Sequence, residues 1–114
     1  MVHWQEITSI DALHALLADS SRGHYVVLKH SGRCGISAMA KSRLERHADV
    51  RLSYFMIDVL RHRDVSNELA RVTNITHESP QAFLYEGDRL LEVKSHMAIS
   101  PSELSRRLNL IAQM

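Results

Sequence analysis

The spacing of apolar residues switches repeatedly between a period near 3.6 and runs or alternations of strand type, and each switch marks an element. Residues 2–7 alternate weakly, which fits a short edge strand. Ile10, Leu13, Leu16 and Leu17 then share one helical face, and that helix ends near Asp19. Thr8-Ser9-Ile10-Asp11 reads as a capping box, with Thr8 as N-cap and Asp11 reaching back. After a turn at 20–23, residues 25–30 hold the apolar β-branched run Val26-Val27-Leu28, which suits a buried strand. Lys29, His30, Ser31 and Gly32 end that run and turn the chain. Ile36, Met39, Ala40 and Leu44 restore the helical period and predict a second helix over 34–48.

The second half repeats the alternation. Residues 52–58 are apolar enough for a strand covered on both faces. A third helix starts at Asp64, with Val65, Leu69 and Val72 as its stripe, after the basic loop Arg61-His62-Arg63. Residues 81–85 and 90–94 are strands joined through Glu86-Gly87-Asp88, where glycine permits positive φ. Ser100-Pro101-Ser102-Glu103 is the clearest helix start: serine as N-cap, proline at the first helical position, and glutamate completing the box. Leu104, Leu108 and Ile111 give that helix its buried face, and Met39, Met56 and Met97 read as core filler. The order β-α-β-α-β-α-β-β-α predicts an α/β domain, a mixed sheet of about five strands flanked by four helices, spanning 1–114 as one unit.

Composition narrows the function classes. Fourteen Lys and Arg against thirteen Asp and Glu leave a net charge of +1, which gives no pull toward nucleic acid or anionic membranes. One cysteine cannot form an internal disulfide, and the first residues lack the basic and apolar segments of a secretory signal. No apolar run reaches membrane-spanning length. The expectation is a cytoplasmic protein. Eight histidines invite a metal reading, yet none forms an H-x-x-x-H pair, and no metal site is expected.

Cys34 is the candidate for chemistry. It lies where a strand hands over to a helix, so unpaired helix N–H groups and the neighbouring Arg33 favour its thiolate. The plainer alternative is a small buried hydrophobe. Ser37, one turn later, either donates a hydrogen bond to the Cys34 sulfur or bonds backbone as an ordinary first-turn serine. His30 flanks the site and either tunes the thiolate or merely caps the strand.

Cys34-Gly35-Ile36-Ser37 sits where thioredoxin-like proteins carry C-x-x-C or C-x-x-S, and Ser79-Pro80 sits where they carry a cis-proline. With Lys29-His30-Ser31 and Glu78-Ser79-Pro80-Gln81, the chain resembles the monothiol bacilliredoxins (YtxJ-like proteins) over nearly its whole length. The usual motif of that family is T-C-P-I-S; here Arg33 and Gly35 replace the threonine and proline, and Gly35 loosens the first helical turn. The resemblance implies a thioredoxin-like fold and thiol–disulfide exchange through Cys34 and Ser37, with Arg33, Gly35, Ser79 and a cis Pro80 contacting substrate. It implies bacillithiol as the low-molecular-weight thiol co-substrate and S-bacillithiolated proteins as clients. C-G-I-S also resembles the C-G-F-S of monothiol glutaredoxins, which use glutathione or carry an iron–sulfur cluster. Their Gly-Gly-x-Asp turn opens a helix, whereas Glu86-Gly87-Asp88 reads as a hairpin. A non-catalytic, redox-sensing module is a further alternative.

Overall fold

A computed structural model describes residues 2–114. In chain order the elements are β1 (Trp4–Glu6), α1 (Ile10–Ala18), β2 (His24–His30), α2 (Gly35–Arg46), β3 (Ser53–Asp58), α3 (Arg63–Thr73), β4 (Gln81–Glu86), β5 (Arg89–Ser95), a 3-10 turn (His96–Ala98) and α4 (Pro101–Ala112). The strands form one sheet in the order β1-β3-β2-β4-β5. β1, β3 and β2 are mutually parallel, while β4 runs antiparallel to β2 and β5 antiparallel to β4. The expected mixed sheet and four helices are all present, and β2 is its middle strand.

The pleat of β2 divides the core in two. Tyr25 and Val27 face a layer with Leu13 and Leu16 of α1 and Val65 and Leu69 of α3. Val26 and Leu28 face the opposite layer, with Ala40 and Leu44 of α2 and Leu104 and Leu108 of α4. A fully buried side chain of this size contributes about 1.5–3 kcal/mol, so each layer fixes the register of the central strands. At the far end of the sheet, Gly87 turns β4 into β5 at φ 59°. A Cβ there would lie 2.8 Å from the Ser20 carbonyl oxygen, so the hairpin needs glycine for space as well as for φ.

Several local expectations change. Ser9, not Thr8, is the N-cap of α1: its hydroxyl accepts the Ala12 N–H and its carbonyl accepts the Leu13 N–H. The cap falls there because Leu13 and Leu16 must reach the core in the first two turns. Leu52 is buried but precedes β3, and α2 begins after Cys34 and ends at Arg46. Ile36, Met39 and Met97 are not core; they are 44%, 54% and 59% exposed. Val72 is exposed too, because α3 meets the sheet through Val65, Ser66 and Leu69. The inward face of α2 is instead Ser37, Ala40 and Leu44.

Candidate active site

Cys34 is the N-cap residue of α2, in extended conformation (φ −108°, ψ 119°), with no side-chain capping bond. The preceding loop is a tight turn: the Ser31 carbonyl accepts the Cys34 N–H at 3.1 Å, and the Cys34 carbonyl then accepts the Ala38 N–H at 3.0 Å. The thiol is free and half-buried. It thus sits at the positive end of the helix dipole with its side chain uncommitted. Arg33, at the turn, is exposed. Gly35 opens the helix, and a Cβ on it would meet nothing within 4 Å.

Ser37 reaches the other way. It is fully buried, its oxygen accepts the Ser31 N–H at 3.0 Å, and it lies 2.8 Å from His30 Nδ1. Among the described residues these are its hydrogen-bond partners, and the Cys34 sulfur is not one of them. Ser37 therefore fastens the start of α2 to the end of β2 and fixes the loop that carries Cys34. Of the two readings of this serine, the backbone-bonding one describes the geometry, with His30 as the partner that sequence reasoning left undecided. Burial, aided by the Lys41 charge, holds His30 below the ordinary histidine range, against the opposing pull of Asp58 and Glu45. The balance favours the neutral ring.

Ser79-Pro80 has a cis peptide bond, as the resemblance to thioredoxin-like proteins implies. Lys29 pairs with Gln81 across β2 and β4. Continuing that antiparallel register brings Pro80 beside the end of β2, the end from which the Cys34 loop departs. The Pro80 carbonyl accepts the His96 N–H at 2.9 Å, which ties the 3-10 turn to the proline. Ser79 is half-buried, and its hydroxyl has no protein partner among the described residues. Buried Gln81, not anticipated as a site residue, secures the same loop: its amide donates to the Thr76 carbonyl at 3.1 Å and its oxygen accepts the Glu78 N–H at 3.4 Å. A glutamine directly after the proline was the only signal of this in the sequence. The 3-10 turn also packs on α2, and Met97 within it is exposed, as are Ile36 and Met39 of that helix.

A second polar cluster lies on the opposite face of β2. Lys29 is fully buried, with Nζ 3.2 Å from His77 Nδ1 and 5.7 Å from the Phe83 ring centroid. Ser66 Oγ approaches the same His77 nitrogen at 3.1 Å. Burial pulls the Lys29 ammonium down to about 8. Burial and the charges of Lys29 and Arg63 likewise lower His77.

Among the described residues no three His, Cys, Asp or Glu side chains gather as a metal site, and no helix is long and apolar enough to cross a membrane. A family model described as "Monothiol bacilliredoxin BrxC" matches residues 5–104. Among solved structures, a candidate oxidoreductase with a thioredoxin fold is 31% identical, with a TM-score of 0.80 over 90% of this chain and 91% of that one. Chloroplastic thioredoxin z is similar at 20% identity and a TM-score of 0.74, covering 100% of this chain and 98% of its own. Thioredoxin from Trypanosoma brucei brucei is similar at 14% identity and a TM-score of 0.72, covering 100% and 93%. These last two likenesses establish the thioredoxin fold alone.

Proposed function

The chain belongs to the monothiol bacilliredoxin family, and from that premise we propose that it is a thiol–disulfide oxidoreductase that removes bacillithiol from S-bacillithiolated client proteins. The observation that carries this reading is the pairing of one free, half-buried Cys34 at a helix start with a serine, fully buried and hydrogen-bonded, where a second thiol would stand. A thiolate at Cys34 attacks the bacillithiol sulfur of the mixed disulfide, and the client leaves as a thiolate that takes up a proton. Cys34 now carries bacillithiol. With no other cysteine in the chain, an external thiol must resolve it. A second bacillithiol attacks the bound bacillithiol sulfur, releases Cys34 as thiolate and departs as bacillithiol disulfide.

The remaining residues divide the contacts. Exposed Arg33 offers a planar fork to carboxylates of the small thiol. The Ser79 backbone before cis Pro80 pairs with an extended client segment, and Gly35 leaves the helix start open above the sulfur. Ile36, Met39 and Met97 supply apolar contact for a client chain. A protein that exchanges through one thiol works where small thiols are kept reduced, which supports a cytoplasmic location. The glutaredoxin alternative is weakened by Gly87: it turns a β-hairpin and is followed by a strand, not by a helix that could cradle glutathione.

Intact mass after brief exposure to oxidised bacillithiol and, separately, oxidised glutathione tests the reading. The expected result is a one-to-one bacillithiol adduct on Cys34, formed faster than the glutathione adduct and discharged by free bacillithiol. A folded protein that forms no adduct would instead be a passive thioredoxin-like module. Preference for glutathione would assign it the other thiol.

A further inference from the structure

The outer face of α2 changes character along its length. Ile36, Met39, Arg43 and Arg46 follow one another by three, four and three residues, which stacks them in one stripe. The stripe begins two residues beyond Cys34 with two exposed apolar side chains and ends with two arginines. Met39, Arg43 and Arg46 border an open groove of about 420 Å³, together with Ala38 and Ser42. A water molecule occupies about 30 Å³ in the liquid, so the groove has room for part of a peptide.

The arginines have no acid of their own helix to meet. Glu45 is the single acid of α2, and it is taken by Lys41 at 2.8 Å and by the Trp4 indole at 2.7 Å. None of the ion pairs among the described residues includes Arg43 or Arg46. Arg43 is half-buried, and its Nε and Nη2 are shielded from solvent with no protein acceptor among the described residues. These two atoms form the side-on edge of the guanidinium. At Arg71 the same edge donates to Glu68 at 2.8 and 2.6 Å, and at Arg51 it donates to Asp49 at 3.0 and 2.7 Å. Cations in the last turn also favour the helix dipole, but the dipole gives those N–H groups no acceptor. Leaving them bare is costly, and one carboxylate in the groove would satisfy both.

We propose that this face of α2 docks the client protein, and that Arg43, with Arg46 beyond it, selects clients with an acidic segment near the thiolated cysteine. The proposal rests on Cys34 being the thiol that receives bacillithiol. Turning the Arg43 fork into the groove pairs its edge with a client carboxylate. Ile36 and Met39 cover the chain between that carboxylate and the mixed disulfide. Arg43 lies nine residues along the helix from Cys34, about 13 Å at about 1.5 Å per residue. An extended client covers that span in about four residues, at about 3.3 Å each.

The probe is a synthetic peptide whose one cysteine carries bacillithiol, with glutamates about four and five residues to either side. Its twin has glutamines in those places. Mass spectrometry follows the transfer of bacillithiol to Cys34, and each rate is taken relative to that with oxidised bacillithiol, which carries no client chain. Below saturation the wild type should react about tenfold faster with the acidic peptide, the scale of a hydrogen bond to a charged group. The gap should narrow in high salt. Arg43→Gln should erase the preference, and Arg43→Glu should turn it toward a peptide with lysines in those places. Arg43→Lys, a charge without a fork, should restore only part of it. Equal rates for the two peptides on the wild type, which needs no variant, or a preference that survives Arg43→Gln, overturns the proposal. Full rescue by Arg43→Lys overturns the assignment of the fork. The acidic peptide with serine in place of its cysteine binds without exchanging. It should shift the amide NMR signals of Met39, Ser42, Arg43 and Arg46. Those shifts without any bacillithiol adduct on Cys34 would refute the oxidoreductase reading and leave the acidic-peptide surface standing. An adduct that forms equally fast from both peptides would do the reverse.

Discussion

Lys29 and His30 are neighbours on β2, yet the pleat sends them into opposite layers with opposite consequences. On the α3 side, Lys29 is sealed in hydrocarbon beside Phe83, with the neutral nitrogen of His77 as its acceptor. None of the ion pairs among the described residues includes it. On the α2 side, the balance favours neutral His30, and its hydroxyl partner is also held by a backbone N–H. The first arrangement burdens folding with a poorly solvated charge. The second is satisfied at neutral pH and leaves the adjoining sulfur uncommitted. The sheet thus separates a proton-linked stability element from the thiol site, although one residue divides them in sequence.

The sharpest break in this comparison is functional. Cys34→Ser should abolish the bacillithiol adduct completely, whereas Lys29→Met, across the sheet, should leave adduct formation within about twofold of wild type, as distant sites act independently. Intact mass reads both. Loss of the adduct in Lys29→Met with the fold preserved would show that the two faces are coupled.

Ser37→Cys changes the fate of the adduct rather than its formation. It places a second sulfur one turn from Cys34, in a side chain that now points to the end of β2. A tethered thiol has a high effective concentration, so the variant should expel the small thiol and collect as an internal disulfide that needs a dithiol reductant. Because the cysteine loses both hydrogen bonds of the serine, melting should also fall, by about 1–3 kcal/mol. A variant that keeps the small-thiol adduct would mean that the new sulfur stays turned toward His30.

Breaking the other cluster should show in stability. Lys29 falls from its ordinary value of 10.5 to about 8 in the folded protein. Between those values the unfolded chain binds more protons, so stability rises with pH; below about 8 both states are protonated and the cost of the buried charge is felt in full. That cost is at most about 3 kcal/mol at neutral pH. Lys29→Met should recover part of it and flatten urea-derived stability between pH 8 and 9.5. Above that, the buried phenols oppose the trend: burial raises Tyr85 to about 12, and Tyr25 rises as well. Equal pH slopes in the wild type and Lys29→Met would remove the lysine from the account.

Much of this architecture was legible because it is local. The two periods set the order of elements, Ser100-Pro101 placed the start of α4, and Gly87 placed the hairpin. Cys34 at a strand-to-helix junction and Pro80 with its cis bond were legible through a motif. The two polar clusters were not. Lys29 reads as the end of an apolar run, and its burial depends on His77, 48 residues away, and on Ser66 beyond a helix boundary. His30 and Ser37 are joined across a strand end, a turn and a helix start, where no single period applies. Ile36 and Met39 share the helical spacing of Ala40 and Leu44, but periodicity cannot say which edge of a stripe meets the sheet; Ser37 took the inward place because its hydroxyl had a backbone partner there.

The gentlest way to sharpen the contrast is to stiffen the thiol side alone. Gly35 is the first residue of α2, where an N–H has no intrahelical partner and proline is favoured. The residue before a proline must be extended, and Cys34 already is, at φ −108° and ψ 119°. A Cβ at this position would enter open space. Gly35→Pro should therefore stabilise the protein by about 0.4–1 kcal/mol, chiefly by restricting the unfolded chain. It would also restore the proline of the usual family motif. If glycine serves only to loosen this turn, the variant should melt higher and alkylate at Cys34 within about twofold of wild type, since the N–H groups that face the sulfur belong to later residues. If instead the Gly35 N–H itself steadies the thiolate, its loss should slow alkylation by about tenfold, the equivalent of 1.4 kcal/mol, while the gain in stability remains. Thermal melting and the alkylation rate, measured on the same sample, separate the two outcomes, and a drop in stability would refute the assignment of Gly35 to the first helical position.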